Sequence, residues 1–232
     1  MFTKNIKNKI VLFWGSAGFC NEEIEEYFLR QDHWAHTNLD KIFVSLDVLE
    51  TPDLFSAAGF TTLYNQPSRM KVARHPLLPG YLVKVYLHLD EKDRGVQWAI
   101  DRCRGAKNIR DLIRQENLRC FVVPDKWIYL VSSDPVIVIL VVQDMKLESN
   151  EQTKKAWKNV TKKQAKELYI ILHHGFGSCY LEGNMPYTKN GQFACVDTAY
   201  PYRQNSYNRV KRYFFPEMKK YLDNLVKSGE SK

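Results

Sequence analysis

The sequence predicts an α+β fold with a small β-rich N-terminal part and a mainly helical C-terminal part. Two observations predict it. Runs of β-branched and aromatic residues cluster between Tyr81 and Val142, whereas helical periodicity dominates after Lys158. A chain of 232 residues can bury one substantial core or hold two small lobes. With 44% hydrophobic, 13% aromatic and 26% charged residues, the composition is that of a globular protein and excludes a disordered one.

Residues Glu22 to Arg30 read as a short acidic helix, and Gly59, Pro67, Pro76, Pro79 and Gly80 predict an irregular first third after it. The turn signal Leu78-Pro79-Gly80 then opens a strand over Tyr81 to His88, with Lys84 in its middle. Two helical patterns follow, Arg94 to Cys103 and Ala106 to Asn117, the second amphipathic through Ile109, Leu112 and Ile113. Cys120 to Val123, continuing through Trp127 to Leu130, and Val136 to Val142 are strands, with Asp134-Pro135 turning between them. The polar stretch Gln143 to Gln152 leaves the sheet. Lys158 to His173 reads as a basic helix with an apolar end, Gly175 to Tyr202 as loop, and Tyr207 to Val226 as helix. No internal repeat or low-complexity linker interrupts this order. The domain boundaries it suggests are an N-terminal extension over 1–65, a β-rich lobe over 66–147 and a helical lobe over 148–232.

The five cysteines share no CxxC or Cys/His ligand spacing, and no secretory signal peptide precedes them, so reduced thiols in a cytosol-like compartment are expected. Delivery into a host cell by a specialised secretion machine is compatible with the same pattern. The longest apolar run, Val136 to Val142, is far shorter than the ~20 residues of a membrane-spanning helix, so no transmembrane span is expected. A formal charge of +8 favours acidic partners: nucleic acid, anionic lipid or phosphorylated small molecules.

Two segments carry the sharper signal. Gly183-Asn184-Met185-Pro186 and Ala194-Cys195-Val196-Asp197-Thr198 put an amide and a carboxylate 13 positions apart, and Lys189-Asn190-Gly191 between them is a strong hairpin-turn signal. Upstream stand a strand lysine in Leu82-Val83-Lys84-Val85 and an apolar strand leaving through Gln143-Asp144-Met145.

In this order the segments resemble the atypical protein-kinase-like family, including bacterial effector kinases and pseudokinases, over roughly Leu82 to Tyr202. The resemblance implies a bilobal fold with a β-rich N-lobe and a helical C-lobe around an ATP and divalent-metal cleft. It implies ATP and Mg²⁺ or Mn²⁺ as cofactors, and transfer of a phosphoryl group to a protein hydroxyl. Lys84 would hold phosphates, Asp144 and Met145 would line the nucleotide site, and Asn184 and Asp197 would bind the metal, with Lys84 and Asp197 as the catalytic pair. Asp111 or Glu116 would be the helix partner of Lys84.

Three departures accompany it. Lys71 to Gly80 contains one glycine and two prolines where a glycine-rich loop belongs. Cys179, beside Ser178, stands five residues before Asn184, where the catalytic Asp belongs. Thr198-Ala199 follows the metal Asp in place of Phe-Gly. Glu182 or the substrate's own oxygens would then orient the acceptor. The alternatives are a pseudokinase that binds nucleotide or a partner without turnover, and a basic phospholipid- or nucleic-acid-binding module. A Cys179 nucleophile with His173 or His174 as base is a further, separate class. Lysines 154, 155, 158, 162, 163 and 166, with Arg203, Arg209, Lys211 and Arg212, suggest a polyanionic activator such as inositol hexakisphosphate.

Overall fold

A computed structural model describes residues 22–65, 70–87, 96–133, 136–198 and 207–229. The chain divides into two compact units, one formed by Met1–Cys103 with Lys126–Gln143, the other by Arg104–Asp125 with Asp144–Lys232. The architecture is α+β, as its composition and patterning predict.

The first unit is built on a five-stranded antiparallel sheet in the order β1-β2-β3-β6-β5, with β1 Thr61–Asn65, β2 Met70–Arg74, β3 Tyr81–Tyr86, β5 Lys126–Ser133 and β6 Val136–Gln143. Strict alternation sends Val83, Val85, Ile139, Val141 and Tyr129 to one face and Val138, Leu140, Val142 and Ile128 to the other. Both faces are therefore covered, which is why β6 reads as an unbroken apolar run. His75 and Leu78 accept the backbone bonds of the β2–β3 turn, and Gly80 supplies the positive φ of 82° that it requires.

The first third is more regular than its glycines and prolines predict. Helices α2 Trp34–Ile42 and α3 Pro52–Ala57, with a 3₁₀ turn at Leu46–Leu49, each start at a side-chain cap: His33, Thr51 and Ser45 accept the first orphan backbone N–H groups. Their buried Ala35, Leu39, Leu49 and Phe55 pack on the Val83–Val85 face. The Tyr129 hydroxyl donates to Asp40 Oδ1 at 2.7 Å, and burial together with that carboxylate drives the phenol pKa upward. The acidic helix expected over 22–30 shrinks to α1, Glu22–Glu25. The chain beyond it pairs with β5 instead, through Leu29 N–H to Ile128 C=O (2.8 Å) and Ile128 N–H to Tyr27 C=O (2.7 Å). An unpaired sheet edge satisfies those backbone groups as well as a helix would.

The two helices expected around Gly105 are one, α4 Gln97–Gln115. Its residues Ala99, Ile100 and Cys103 pack on the Leu140 face within the first unit, and Ile109 and Leu112 enter the core of the second.

In the second unit the basic stretch around Lys158 is two helices, α5 Asn150–Lys158 and α6 Lys162–His173. Thr161 and Gln164 form a reciprocal capping box that starts α6 afresh. Trp157, fully buried, stacks on Phe193 at 3.7 Å between centroids and packs with Leu168, Ile171 and Met185 in one core. The expected C-terminal helix is divided as well, into α8 Tyr207–Lys211 and α9 Pro216–Ser228, because Pro216 is set for a first helical turn and not for an interior one. Among the described residues no helix is long and apolar enough to cross a membrane. Among the described residues Cys103, Cys120, Cys179 and Cys195 form no disulfide. Cys20, Arg94, Asp134-Pro135, Ala199, Tyr202 and Arg203, which the sequence reading used, lie outside the described residues.

Candidate functional site

In the first unit Lys84 lies on β3, the central strand of the five, opposite Val72 on β2 and Leu140 on β6. Directly opposed residues share a face, so Lys84 projects to the side on which α4 packs Ala99, Ile100 and Cys103 against Leu140. Two residues further along the same face, Tyr86 meets Trp98 of α4 edge-on at 5.1 Å. Lys84 is thus a half-buried lysine on a helix-covered face, not a solvent-facing lysine at an edge. Of the two carboxylates proposed as its partner, Asp111 is exposed and paired with Arg114 at 3.6 Å on its own helix, and Glu116 follows the last turn of α4. Asp101, which sequence reading passed over, lies in the part of α4 that belongs to the first unit and accepts from Gln97 Nε2 at 2.7 Å.

In the second unit a hairpin brings the backbone of Asn184 next to that of Val196, the residue before Asp197. Asn184 ends the short helix α7, Leu181–Asn184, its N–H donating to Tyr180 C=O at 3.0 Å. The chain then runs out through Tyr187, turns at Lys189-Asn190-Gly191, and returns through β7, Phe193–Ala194. Thr188 closes the turn by bonding Gln192, and Gly191 takes the positive φ of 83°. Ala194 N–H reaches Pro186 C=O at 2.8 Å, and Val196 N–H reaches Asn184 C=O at 3.0 Å. Asp197 therefore follows a residue hydrogen-bonded directly to Asn184, and both residues are half-buried. The Asn-Gly signal was sufficient to find this hairpin.

The exit segment adds a third strand-like piece. Leu147 bridges Thr188, Glu148 N–H donates to Tyr187 C=O at 2.8 Å, and Lys189 N–H donates to Lys146 C=O at 3.0 Å. Asp144, half-buried like Met145, turns this segment by accepting the Lys146 N–H at 3.0 Å.

The return arm is clamped from two sides. β7 pairs in parallel with β4, Phe121–Val122, and Glu167, a buried carboxylate on α6, accepts the N–H groups of Arg119 (3.0 Å) and Cys120 (2.7 Å) just before β4. Burial and this carboxylate push the Cys120 thiol up to about 11. On the other side, a β-carbon added to Gly105 of α4 would collide with the carbonyl oxygen of Thr198, the residue after Asp197. Neither Glu167 nor Gly105 was singled out in the sequence. A buried Glu and a helical Gly give no local pattern, and only the tertiary contact explains them.

Cys179 stands where the resemblance places a catalytic carboxylate. Cys179 packs partly against the core of this unit, and Tyr207 nearby has its phenol pKa raised by burial, by Tyr169 and by Cys179. The His173 ring packs on Tyr169 at 5.5 Å. Glu182, considered as a substitute, is paired with Lys154 of α5 at 3.7 Å.

Among the described residues no group of three or more His, Cys, Asp or Glu side chains could hold a metal ion. A zinc-type site of such residues is thereby absent from them. A magnesium-type site needs only one or two protein oxygens beside water and phosphate, and the amide and carboxylate oxygens of Asn184 and Asp197 fit that requirement. Several of the described basic residues are engaged within this unit. Besides Lys154, Lys163 pairs with Glu167 at 4.0 Å, Lys162 lies over the Tyr221 ring at 5.8 Å, and Lys211 pairs with Asp223 at 2.6 Å. A cavity of about 590 Å³ in this unit is lined mainly by Gln152, Asn159, Thr161, Gln164 and Tyr187, with Lys155 and Glu148 contributing one charge of each sign. No protein-family model matches the chain, and no curated protein matches it either.

Proposed function

We propose that the chain is an atypical protein-kinase-like phosphotransferase that moves the γ-phosphoryl group of ATP to a protein hydroxyl. The observation that carries the reading is the hairpin closed by Val196 N–H on Asn184 C=O at 3.0 Å, which brings the backbone of Asn184 beside the residue that precedes Asp197. Support also comes from Lys84 on the helix-covered face of a five-stranded antiparallel sheet whose α4 enters the chain after β3.

In this reading Lys84 binds phosphate oxygens as a fixed cation, and Asn184 and Asp197 hold Mg²⁺ or Mn²⁺ through oxygen. The metal, when bound, neutralises charge on the phosphates. The bond from the β,γ-bridging oxygen to the γ phosphorus breaks, and one from the acceptor hydroxyl oxygen forms. The acceptor proton leaves to solvent or to a phosphate oxygen, since Cys179 replaces the usual carboxylate. A loose transition state tolerates that loss, because positioning and charge neutralisation supply most of the acceleration.

The second reading is a pseudokinase that binds nucleotide without turnover. It is favoured by the engagement of Glu182 with Lys154 at 3.7 Å. A polyphosphate activator remains part of the proposal, through the exposed Lys155 and Lys158, and calorimetry with inositol hexakisphosphate tests it.

Incubation with radiolabelled ATP, Mg²⁺ or Mn²⁺ and a generic basic protein separates the readings. Label transferred by the wild type and lost in Asp197→Ala supports the enzyme. Metal-dependent ATP binding without label supports the pseudokinase. No nucleotide binding, with or without inositol hexakisphosphate, rejects both and leaves a basic lipid- or nucleic-acid-binding module.

A further inference from the structure

The carboxamide of Asn184 has two chemically different ends, one that donates and one that accepts, and only the oxygen end can ligate a cation. Its Nδ2 donates to Ser178 Oγ at 2.9 Å. The same hydroxyl oxygen accepts the Tyr180 N–H at 3.1 Å. Ser178 is itself aimed by the preceding Gly177, which takes a φ of 74°, and the added β-carbon of any other residue there would stand 3.1 Å from Ile171 Cγ2.

Two N–H donors thus converge on the hydroxyl oxygen, and it is the nitrogen end of the amide that faces it. With its nitrogen end committed to Ser178, Asn184 presents Oδ1 elsewhere, while its backbone carbonyl is held by Val196. We propose that Ser178 is a positioning residue that sets the orientation of the Asn184 amide so that its oxygen, not its nitrogen, meets the metal ion. The proposal rests on the reading of Asn184 as a metal ligand. Ser178 acts through Asn184, to which its hydroxyl is bonded. The inference also gives the serine beside Cys179 a task that does not require it to be a base.

An outer residue that orients a ligand typically changes metal affinity by about 10–100-fold. The test has two arms, each on the full chain with wild type, Ser178→Ala and Ser178→Thr. In the first, without metal, NMR on asparagine-labelled protein follows hydrogen exchange of the Asn184 side-chain NH₂. Slow exchange in the wild type and in Ser178→Thr, and faster exchange in Ser178→Ala, is expected. Equal exchange in all three overturns the inference. In the second, electron paramagnetic resonance measures Mn²⁺ affinity with a non-hydrolysable ATP analogue. About tenfold weaker binding in Ser178→Ala, restored by Ser178→Thr, is expected. Unchanged affinity in Ser178→Ala overturns the inference while leaving Asn184 a ligand. No Mn²⁺ binding by the wild type, beside slow NH₂ exchange, overturns the metal reading itself and with it the role given to Ser178.

Discussion

Lys84 belongs to a regular backbone ladder, whereas Asn184 and Asp197 flank a hairpin whose shape depends on single side chains and one missing side chain. The lysine's height and face follow from the register Val72–Lys84–Leu140, which many main-chain bonds maintain together. The hairpin in the second unit is short. It is held by Trp157 beneath it, Glu167 behind β4, and Gly105 against Thr198. A side chain on a ladder tolerates substitution around it, and one on a clamped hairpin does not.

The largest expected effect falls on the loop. Trp157 donates from Nε1 to Met185 C=O at 3.0 Å, one residue after Asn184, and is fully buried. Trp157→Ala is expected to cost about 3–5 kcal/mol in urea unfolding, from lost burial and an orphaned carbonyl. A cost under about 1 kcal/mol would break the comparison. Gly105→Ala comes next, at about 1–3 kcal/mol for overpacking against a backbone atom that cannot rotate away.

Glu167→Gln sharpens the account through pH. Removing the negative charge lowers the Cys120 thiol from about 11, although burial, the larger cause, keeps it above the ordinary 9.0. Alkylation of Cys120 at pH 9–10 is then faster in the variant, read by mass spectrometry of that peptide. The sign for stability follows from the same shift. A thiol whose pKa is raised by folding contributes stability that is intact below pH 9 and is lost as pH rises toward 11. The smallest effect is expected on the ladder: Lys84→Met should change stability by less than about 1 kcal/mol, because the strand's bonds are main-chain bonds.

The sequence disclosed what is periodic or local. Strand β6, strand β3 with its central lysine, the Asn-Gly turn and the order of the candidate ligands were all visible as patterns of a few adjacent residues. What stayed hidden was tertiary. Residues 27–29 look helical because of their acidic neighbours, yet they complete a sheet edge. Gly105 looks like a helix breaker, yet it is the point where a helix touches another backbone. Glu167 looks like one more solvent-facing charge on a basic helix, yet it is buried to hold two N–H groups. Ser178 carries no motif at all, and only its distance to Asn184 gives it a role.

The central claim is that Asn184 and Asp197 act on one ion. A double-mutant cycle on Mn²⁺ affinity, measured by electron paramagnetic resonance in the presence of an ATP analogue, tests it most directly, with Asn184→Ala, Asp197→Ala and the double variant. Ligands of one ion are coupled, so the double variant should bind little worse than Asp197→Ala alone, an interaction of at least about 0.5 kcal/mol. Strictly additive losses, or a wild type that binds no Mn²⁺, would contradict the account.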